Sequence, residues 1–307
     1  MSKKSIIYVF SGTGNTYIAA QKIAENLYKY GYETVIYPVE KNKNGEFENV
    51  PDPNDFDAVG FGYPVHAFNS PKFFLNFVKK QLPEMDEDNF GKRAFVFKTS
   101  GEPLKLNSAS SRDLCGLLRR KGMLPGMDFH MIMPHNVMFS CPDAMAKQMY
   151  LHTCQMAELV AYYVANDMYR DVRFNPLFYF VSTIFKLQWL GAKLNGPWHK
   201  VDHEKCVHCN LCVSDCPARN ISIVDGFPKQ GNHCIMCMRC SMNCPAQAIS
   251  AGILKPYQLS GGWNFDALAA NESLPANYTD NKKIGRFKCY KKYYNRTWAE
   301  YDNVFNY

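Results

Sequence analysis

Eight of the twelve cysteines lie between Cys206 and Cys244, in two runs that share one spacing. Each run has the form Cys-x-x-Cys-x-x-Cys-x-x-x-Cys-Pro, and the second run, which starts at Cys234, repeats the first 28 positions later. The residues after the two prolines also correspond, Ala-Arg-Asn-Ile-Ser in the first run and Ala-Gln-Ala-Ile-Ser in the second. This internal duplication predicts two equivalent ligand-binding sites.

Cysteine thiolates at these spacings are ligands of iron-sulfur clusters or of structural zinc. Three thiolates at three-residue steps can wrap one face of a cubane cluster, and they leave its fourth iron without a ligand from the same triplet. Zinc sites with four cysteines also use Cys-x-x-Cys pairs, but they rarely show two triplets that are each followed by Cys-Pro. The pattern favours iron-sulfur clusters, and two structural zinc sites are the alternative.

The segment Lys205–Ser250 resembles bacterial-type two-cluster ferredoxins in all eight cysteines and in both prolines. In that family the cysteine before proline ligates the cluster of the other run. The resemblance therefore implies two 4Fe-4S clusters that act as low-potential one-electron carriers. It assigns Cys206, Cys209, Cys212 and Cys244 to one cluster, and Cys234, Cys237, Cys240 and Cys216 to the other.

The other four cysteines are scattered, and the N-terminus has only a five-residue apolar run with no cleavage-site pattern. We therefore expect no signal peptide, a cytoplasmic location and thiols that bind metal instead of forming disulfides. The longest apolar stretch, Phe174–Phe185, has twelve uncharged residues, which is too short for a transmembrane span. Its periodicity predicts an amphipathic helix whose apolar face is covered by another part of the protein.

Short β-rich runs alternate with helix-like segments from Ser5 to Pro134. The expected strands are Ile6–Phe10, Thr34–Tyr37, Ala58–Gly62, Ala94–Lys98 and Phe129–Met133. The expected helices are Tyr17–Tyr30, Pro71–Lys80, Ser110–Lys121 and a long helix from Asp143 to about Met168. This alternation predicts an α/β fold with a doubly wound five-stranded parallel sheet. The crossover between the second and third strands has no clear helical period.

The first strand leads directly into the loop Ser11-Gly12-Thr13-Gly14-Asn15-Thr16, which precedes the first predicted helix. Its glycines let backbone N–H groups converge, the helix N-terminus adds partial positive charge, and the hydroxyl and amide side chains offer further donors. A Walker A loop would need Gly-Lys-Ser/Thr, and the dinucleotide fingerprint would need a third glycine. The loop predicts a phosphate site, and a plain helix cap is the alternative.

This loop resembles the FMN phosphate loop of flavodoxins, whose fold would cover residues 1–168. The family places its flavin ring at the loops after the third and fourth strands. In this chain, aromatic rings could sandwich the flavin, and Gly101 could let a peptide reorient as the flavin ring gains a proton. The resemblance implies ring contacts from Tyr63, Pro64, Val65, His66 and Phe68, and from Thr99, Ser100, Gly101 and Glu102.

The whole chain resembles flavodoxin-ferredoxin fusion proteins of anaerobic bacteria. We expect a flavodoxin-like domain over 1–168, a connecting amphipathic helix over 169–199, a small α+β two-cluster ferredoxin domain over 200–254, and an aromatic and basic extension over 255–307. The sequence Met133-Pro134-His135-Asn136 looks like the Met-Pro-x-Asn motif of those proteins, although a turn that ends a strand explains it equally well.

These features predict an electron-transfer protein that passes electrons between FMN, two 4Fe-4S clusters and redox partner proteins. The alternative is an iron-sulfur flavin reductase that acts on a small organic substrate, and the lack of a dinucleotide motif argues against direct reduction by NAD(P)H. A binding or regulatory module ranks last. The net charge of +7 comes partly from the segment Asn281–Tyr307, which we interpret as a solvated tail and not as a nucleic-acid site.

Overall fold

A parallel five-stranded sheet forms the N-terminal half of the chain, in a computed structural model that describes residues 2–168, 172–259, 261–281 and 285–305. The strand order is β2-β1-β3-β4-β5, which is the flavodoxin-like doubly wound order. The predicted fold class is therefore confirmed. The strands are β1 Lys3–Val9, β2 Tyr32–Pro38, β3 Ala58–Pro64, β4 Arg93–Ser100 and β5 Leu124–Ile132.

The first strand lies in the middle of the sheet and pairs with β2 on one side and β3 on the other. Its successive side chains enter opposite cores, with Ile6 and Tyr8 in one cluster and Ile7 and Val9 in the other. Both faces of the sheet are thus buried, as is usual for parallel sheets covered by crossover helices.

Four helices cover these faces, namely α1 Asn15–Lys29, α2 Lys72–Gln81, α3 Arg112–Arg120 and α4 Asp143–Ala165. Residues of α2 and α3 contribute to the cluster that contains Ile6, whereas α1 and α4 contribute to the cluster that contains Ile7. Between β2 and β3 the chain forms only a short 3-10 turn, Pro53–Asp55, which agrees with the absence of a helical period there.

The connecting region forms two helices, α5 Pro176–Ile184 and α6 Gln188–Asn195, joined by a 3-10 turn. Several of its apolar side chains are exposed, among them Phe180 (65%) and Leu187 (73%), whereas Phe174 and Trp189 pack against the core cluster that contains Ile6. In the described part of the chain, the expected cover over this apolar face is therefore only partial. Within the described residues, no helix is both long and apolar enough to cross a membrane.

The cysteine-rich segment has a β-hairpin and two one-turn helices. These are β6 Ile221–Val224, β7 Phe227–Gln230, α7 Leu211–Ser214 and α8 Arg239–Met242. The backbone repeats the duplication seen in the sequence, because left-handed residues occur in pairs 28 positions apart. The pairs, with their φ angles, are His208 (54°) and Met236 (51°), Asn210 (59°) and Met238 (64°), and Arg219 (51°) and Gln247 (50°).

The C-terminal extension packs against α4 through two helices, α9 Phe265–Ala270 and α10 Lys288–Phe305. The ring of Phe265 stacks on Tyr150, with centroids 5.1 Å apart. From α10, the hydroxyl of Tyr290 donates to the carbonyl oxygen of Gly101 at 2.6 Å. The extension thus supports the loop after β4.

Candidate functional site

A cavity lies at the carboxyl end of the sheet, where ligands of open α/β folds usually bind. Eleven of the fifteen residues predicted to contact a flavin line it, and they come from the phosphate loop and from the loops after β3 and β4. The eleven are Ser11, Gly12, Thr13, Asn15, Thr16, Pro64, Val65, His66, Thr99, Ser100 and Gly101.

Internal hydrogen bonds already fix most of the phosphate loop. The Ser11 hydroxyl accepts from the Gly14 N–H at 3.2 Å, and the Asn15 amide donates to the Pro134 carbonyl at 2.8 Å. The hydroxyls of Thr16 and Thr99 share a bond of 2.7 Å. Three of the side chains predicted to contact a phosphate thus also hold the loop or join it to neighbouring loops, and their contact with a phosphate stays a prediction.

The remaining groups of the loop fit a phosphate. The hydroxyl of Thr13 is buried and has no hydrogen-bond partner in the described structure. Helix α1 starts after Gly14 without a side-chain cap, so the N–H groups of its first turn remain available, together with the positive end of the helix dipole. An orphaned buried donor next to free N–H groups is the arrangement that an anion would complete.

The loop after β3 brings His66 to the cavity, where its ring is near that of Phe10 at a centroid distance of 6.4 Å. Burial lowers the pKa of His66 to about 4, so the imidazole is neutral at pH 7. The loop after β4 brings Gly101 against the ring of His135, where a Cβ on Gly101 would come within 2.4 Å of that ring. Only glycine lets the two loops approach this closely.

Four predicted flavin residues do not line the cavity. Tyr63 is fully buried, and its hydroxyl bonds to Ser110 and Ser111 on the α3 side of the sheet. Phe68 packs edge-on against Phe185 at 5.0 Å. Neither ring is placed to sandwich a flavin in this structure. The other two residues outside the cavity lining are Gly14 and Glu102.

Two segments that were not predicted as flavin contacts also line the cavity. One is 133–137, which follows β5 and includes the Met-Pro-x-Asn-like motif. The other is 236–238, from the second cysteine run. The first could have been found from its position after a strand of the same sheet. The second depends on how two distant segments pack, for which the sequence has no local signal.

The eight predicted cluster ligands surround two further cavities in the crossed arrangement. One cavity is lined by Cys206, Cys209, Cys212 and Cys244, together with Cys240. The other is lined by Cys216, Cys234, Cys237 and Cys240. Each cavity thus contains three cysteines of one run and the Cys-Pro cysteine of the other run, and Cys240 lines both cavities.

The cysteines of each set line a cavity and do not converge on one point. Within the described residues, no group of three or more Cys, His, Asp or Glu side chains is close enough to hold one metal ion. In a cubane each iron takes one thiolate, so its ligands surround a volume instead of converging on a point. Backbone N–H groups of Asn220 and Ala248 donate to Cys216 and Cys244, each at 3.3 Å, and such bonds tune cluster potentials.

Burial raises the pKa of the Cys212 thiol to about 11 and that of Cys237 to about 12. Thiolates are costly in such surroundings unless positive charge offsets them, and metal ligation requires the deprotonated form. These thiols therefore have little tendency to ionise by themselves, and a metal centre would supply the compensating charge.

Arg239 connects the cysteine runs to the phosphate loop. Its guanidinium donates to the carbonyl oxygens of Gly12 at 2.7 Å, Ser11 at 2.6 Å and Asp215 at 3.0 Å. It also pairs with the Glu40 carboxylate at 2.6 Å, and only 14% of the Arg239 side chain is exposed. The planar guanidinium group of Arg239 thus holds three loops in a fixed arrangement.

Replacing Arg239 with methionine is expected to destabilise the protein by about 2–4 kcal/mol, because three carbonyl groups and the Glu40 carboxylate lose a charged donor. Urea denaturation measures this change. Glu40→Gln is the matched control, since it removes only a partly exposed ion pair and should cost about 1 kcal/mol or less. If both variants lost the same small amount of unfolding free energy, Arg239 would not be the residue that holds the loops together.

Comparisons with known proteins give one family match and several similarities to solved structures. The family model described as "4Fe-4S binding domain" matches residues 199–222. Comparison with curated proteins gives no match. Among solved structures, an archaeal flavodoxin is 15% identical and covers 52% of this chain and 98% of its own, with a TM-score of 0.35. A WrbA-like flavodoxin from Agrobacterium tumefaciens is 18% identical and covers 54% and 97%, with a TM-score of 0.38.

A flavoprotein from Lactobacillus acidophilus, solved in complex with FMN, is 16% identical and covers 42% of this chain and 93% of its own, with a TM-score of 0.32. Because these sequence identities and TM-scores are low, the fold assignment rests on the observed strand order and not on the similar structures. The chain thus joins a flavodoxin-like parallel sheet to a 4Fe-4S binding segment.

Proposed function

We propose that this chain is an electron-transfer protein that binds FMN at the carboxyl end of the sheet and two 4Fe-4S clusters on its eight clustered cysteines. Bound FMN would exchange one or two electrons, and each cluster would exchange one. The role of the protein is to hold these groups at fixed distances and to shield them from water.

The phosphate of FMN would lie at the phosphate loop. The hydroxyl of Thr13 and the N–H groups at the start of α1 are its proposed donors, because they have no other partner there. The ring would lie between the loops after β3 and β4, where His66, Gly101 and the residues around His135 line the cavity. Tyr63 is left out of this proposal because it is a core residue.

One observation supports electron transfer above all. Cys237 and its neighbours Met236 and Met238 line both the cavity at the phosphate loop and the second cluster cavity. Cys240 lines both cluster cavities. The three proposed cofactor sites therefore form a continuous series in which each neighbouring pair shares lining residues, which is the arrangement that electron tunnelling from one cofactor to the next requires.

The exposed end of this series is the proposed contact for redox partner proteins. Cys209, a predicted ligand of the first cluster, is exposed, and it lies between Val207, which is 63% exposed, and Leu211, which is 44% exposed. The second cluster would lie further inside, next to the flavin. We propose the order flavin, second cluster, first cluster and partner protein, in either direction.

A reductase that acts on a small organic substrate is the second candidate. It is favoured by another cavity that shares His66 with the flavin site. The division of the chain at residues 168, 199 and 254, the resemblance to fusion proteins of anaerobic bacteria and the cytoplasmic location remain predictions.

An anaerobic cofactor census tests the proposal. The purified protein should contain about eight iron, about eight acid-labile sulfide and about one FMN per chain, as two 4Fe-4S clusters and one flavin require. Zinc in place of iron, or clusters without flavin after reconstitution with FMN, would contradict it.

A further inference from the structure

A further cavity, of about 370 Å³, shares His66 and Met236 with the proposed flavin site. It lies between the loop after β2, the beginning of α2, helix α6 and the second cysteine run. Small-molecule sites commonly have volumes of about 300–1,000 Å³ and lie where parts of a protein meet. Cys234 is also in its wall, so an occupant would be next to both proposed kinds of cofactor.

Part of the wall is apolar and held in place by packing. Phe73 contacts Phe10 and Phe47, with ring centroids 5.4 Å and 5.6 Å away. Trp189 and Ile235 are half-buried and pack against the same core cluster. The cavity therefore offers a preformed surface of flat and branched apolar side chains, which suits an apolar organic body.

The charged side chains in the lining are all cations, namely Lys41, Lys72, Lys193 and Arg219. Arg219 is engaged, since its Nε donates to the Lys41 carbonyl at 2.8 Å and to the Asn42 carbonyl at 3.1 Å. The three lysines have no acidic partner among the described residues. A cleft lined by one sign of charge attracts ligands of the opposite sign.

We propose that this cavity binds a small organic anion, in which an apolar ring system lies against Phe73, Trp189 and Ile235 and a carboxylate meets Lys72 and Lys193. Binding depends only on these residues, and it would occur whether or not the ligand exchanges electrons. Loss of ligand binding and failure of electron transfer are therefore separate outcomes.

Isothermal titration calorimetry of the cofactor-loaded protein with 2-naphthoate tests the site, with 2-naphthalenemethanol as the neutral analogue. We expect one molecule of the carboxylate to bind per chain, and the alcohol to bind at least about tenfold more weakly. The double variant Lys72→Gln/Lys193→Gln should lose a similar factor for the carboxylate. Its binding should also weaken as salt is added, because these lysines are exposed at the rim.

Lys80→Gln is the matched control, because Lys80 is exposed on the same helix as Lys72 and does not line the cavity. This variant should bind 2-naphthoate like the unmodified protein. No binding of 2-naphthoate, equal affinity for the acid and the alcohol, or an unchanged affinity in the double variant would overturn the proposal.

Discussion

Replacing Cys216 with alanine is expected to remove the cluster next to the flavin, although Cys216 belongs to the first cysteine run. It lines the same cavity as Cys234, Cys237 and Cys240, and a cubane that loses one of four thiolates is destabilised. The purified variant should retain about half of the iron, as two equal clusters imply. Electron transfer from flavin to the remaining cluster should slow by at least about tenfold, which corresponds to about 1.4 kcal/mol of added barrier.

Cys244→Ala is the complementary variant, because Cys244 lines the cavity of the first cluster. It should lose the same share of iron and keep fast transfer from flavin to the cluster that remains. Cys154→Ala, in α4 and outside both cluster cavities, should keep all the iron. Iron assays and stopped-flow reduction measure both properties. Fast transfer in Cys216→Ala together with slow transfer in Cys244→Ala would show that the ligands are not crossed.

Replacing Gly12 with alanine should separate the phosphate loop from the second cluster. A Cβ at this position would come within 2.4 Å of the Cys237 carbonyl oxygen, and backbone atoms held by Arg239 cannot move aside cheaply. When samples with equal iron and flavin contents are compared, we expect transfer between flavin and clusters to slow by about tenfold or more. Stopped-flow spectroscopy of the anaerobic protein measures the rate.

Gly116→Ala is the control for this change. Gly116 lies within α3, where a Cβ would meet nothing within 4 Å, so the substitution should stabilise the helix by about 0.5–1 kcal/mol and leave the transfer rate unchanged. An unchanged rate in Gly12→Ala would show that the close contact between the two loops does not set the electron path.

The sheet and the arrangement of the cysteines could be predicted because each depends on a regular pattern. The β-rich runs are buried on both faces and are separated by helical segments, which leaves few alternatives to a doubly wound sheet. The crossed cysteine sets follow from the spacing together with the ferredoxin resemblance, and the structure groups the thiols in that way.

Tyr63 was misassigned because β3 continues to Pro64, beyond the predicted end of the strand at Gly62. Side chains two residues apart on a strand share a face, so Tyr63 enters the same core cluster as Phe61. The sequence contained a signal for the special role of Arg239. Its equivalent in the first repeat, 28 positions earlier, is the apolar residue Leu211, so the two repeats differ in charge at this position. The hydrogen bond from Tyr290 to Gly101 could not have been predicted from the sequence, since it joins segments far apart in the chain.

The measurement that tests the central claim most directly is flash photoreduction of the flavin in the cofactor-loaded protein, with cluster bleaching followed at several protein concentrations. Our account predicts that the rate constant for cluster reduction does not depend on protein concentration, because Cys237 contributes to both the flavin cavity and the second cluster cavity. A rate that rises in proportion to concentration would mean that electrons pass between molecules, and it would contradict an internal path.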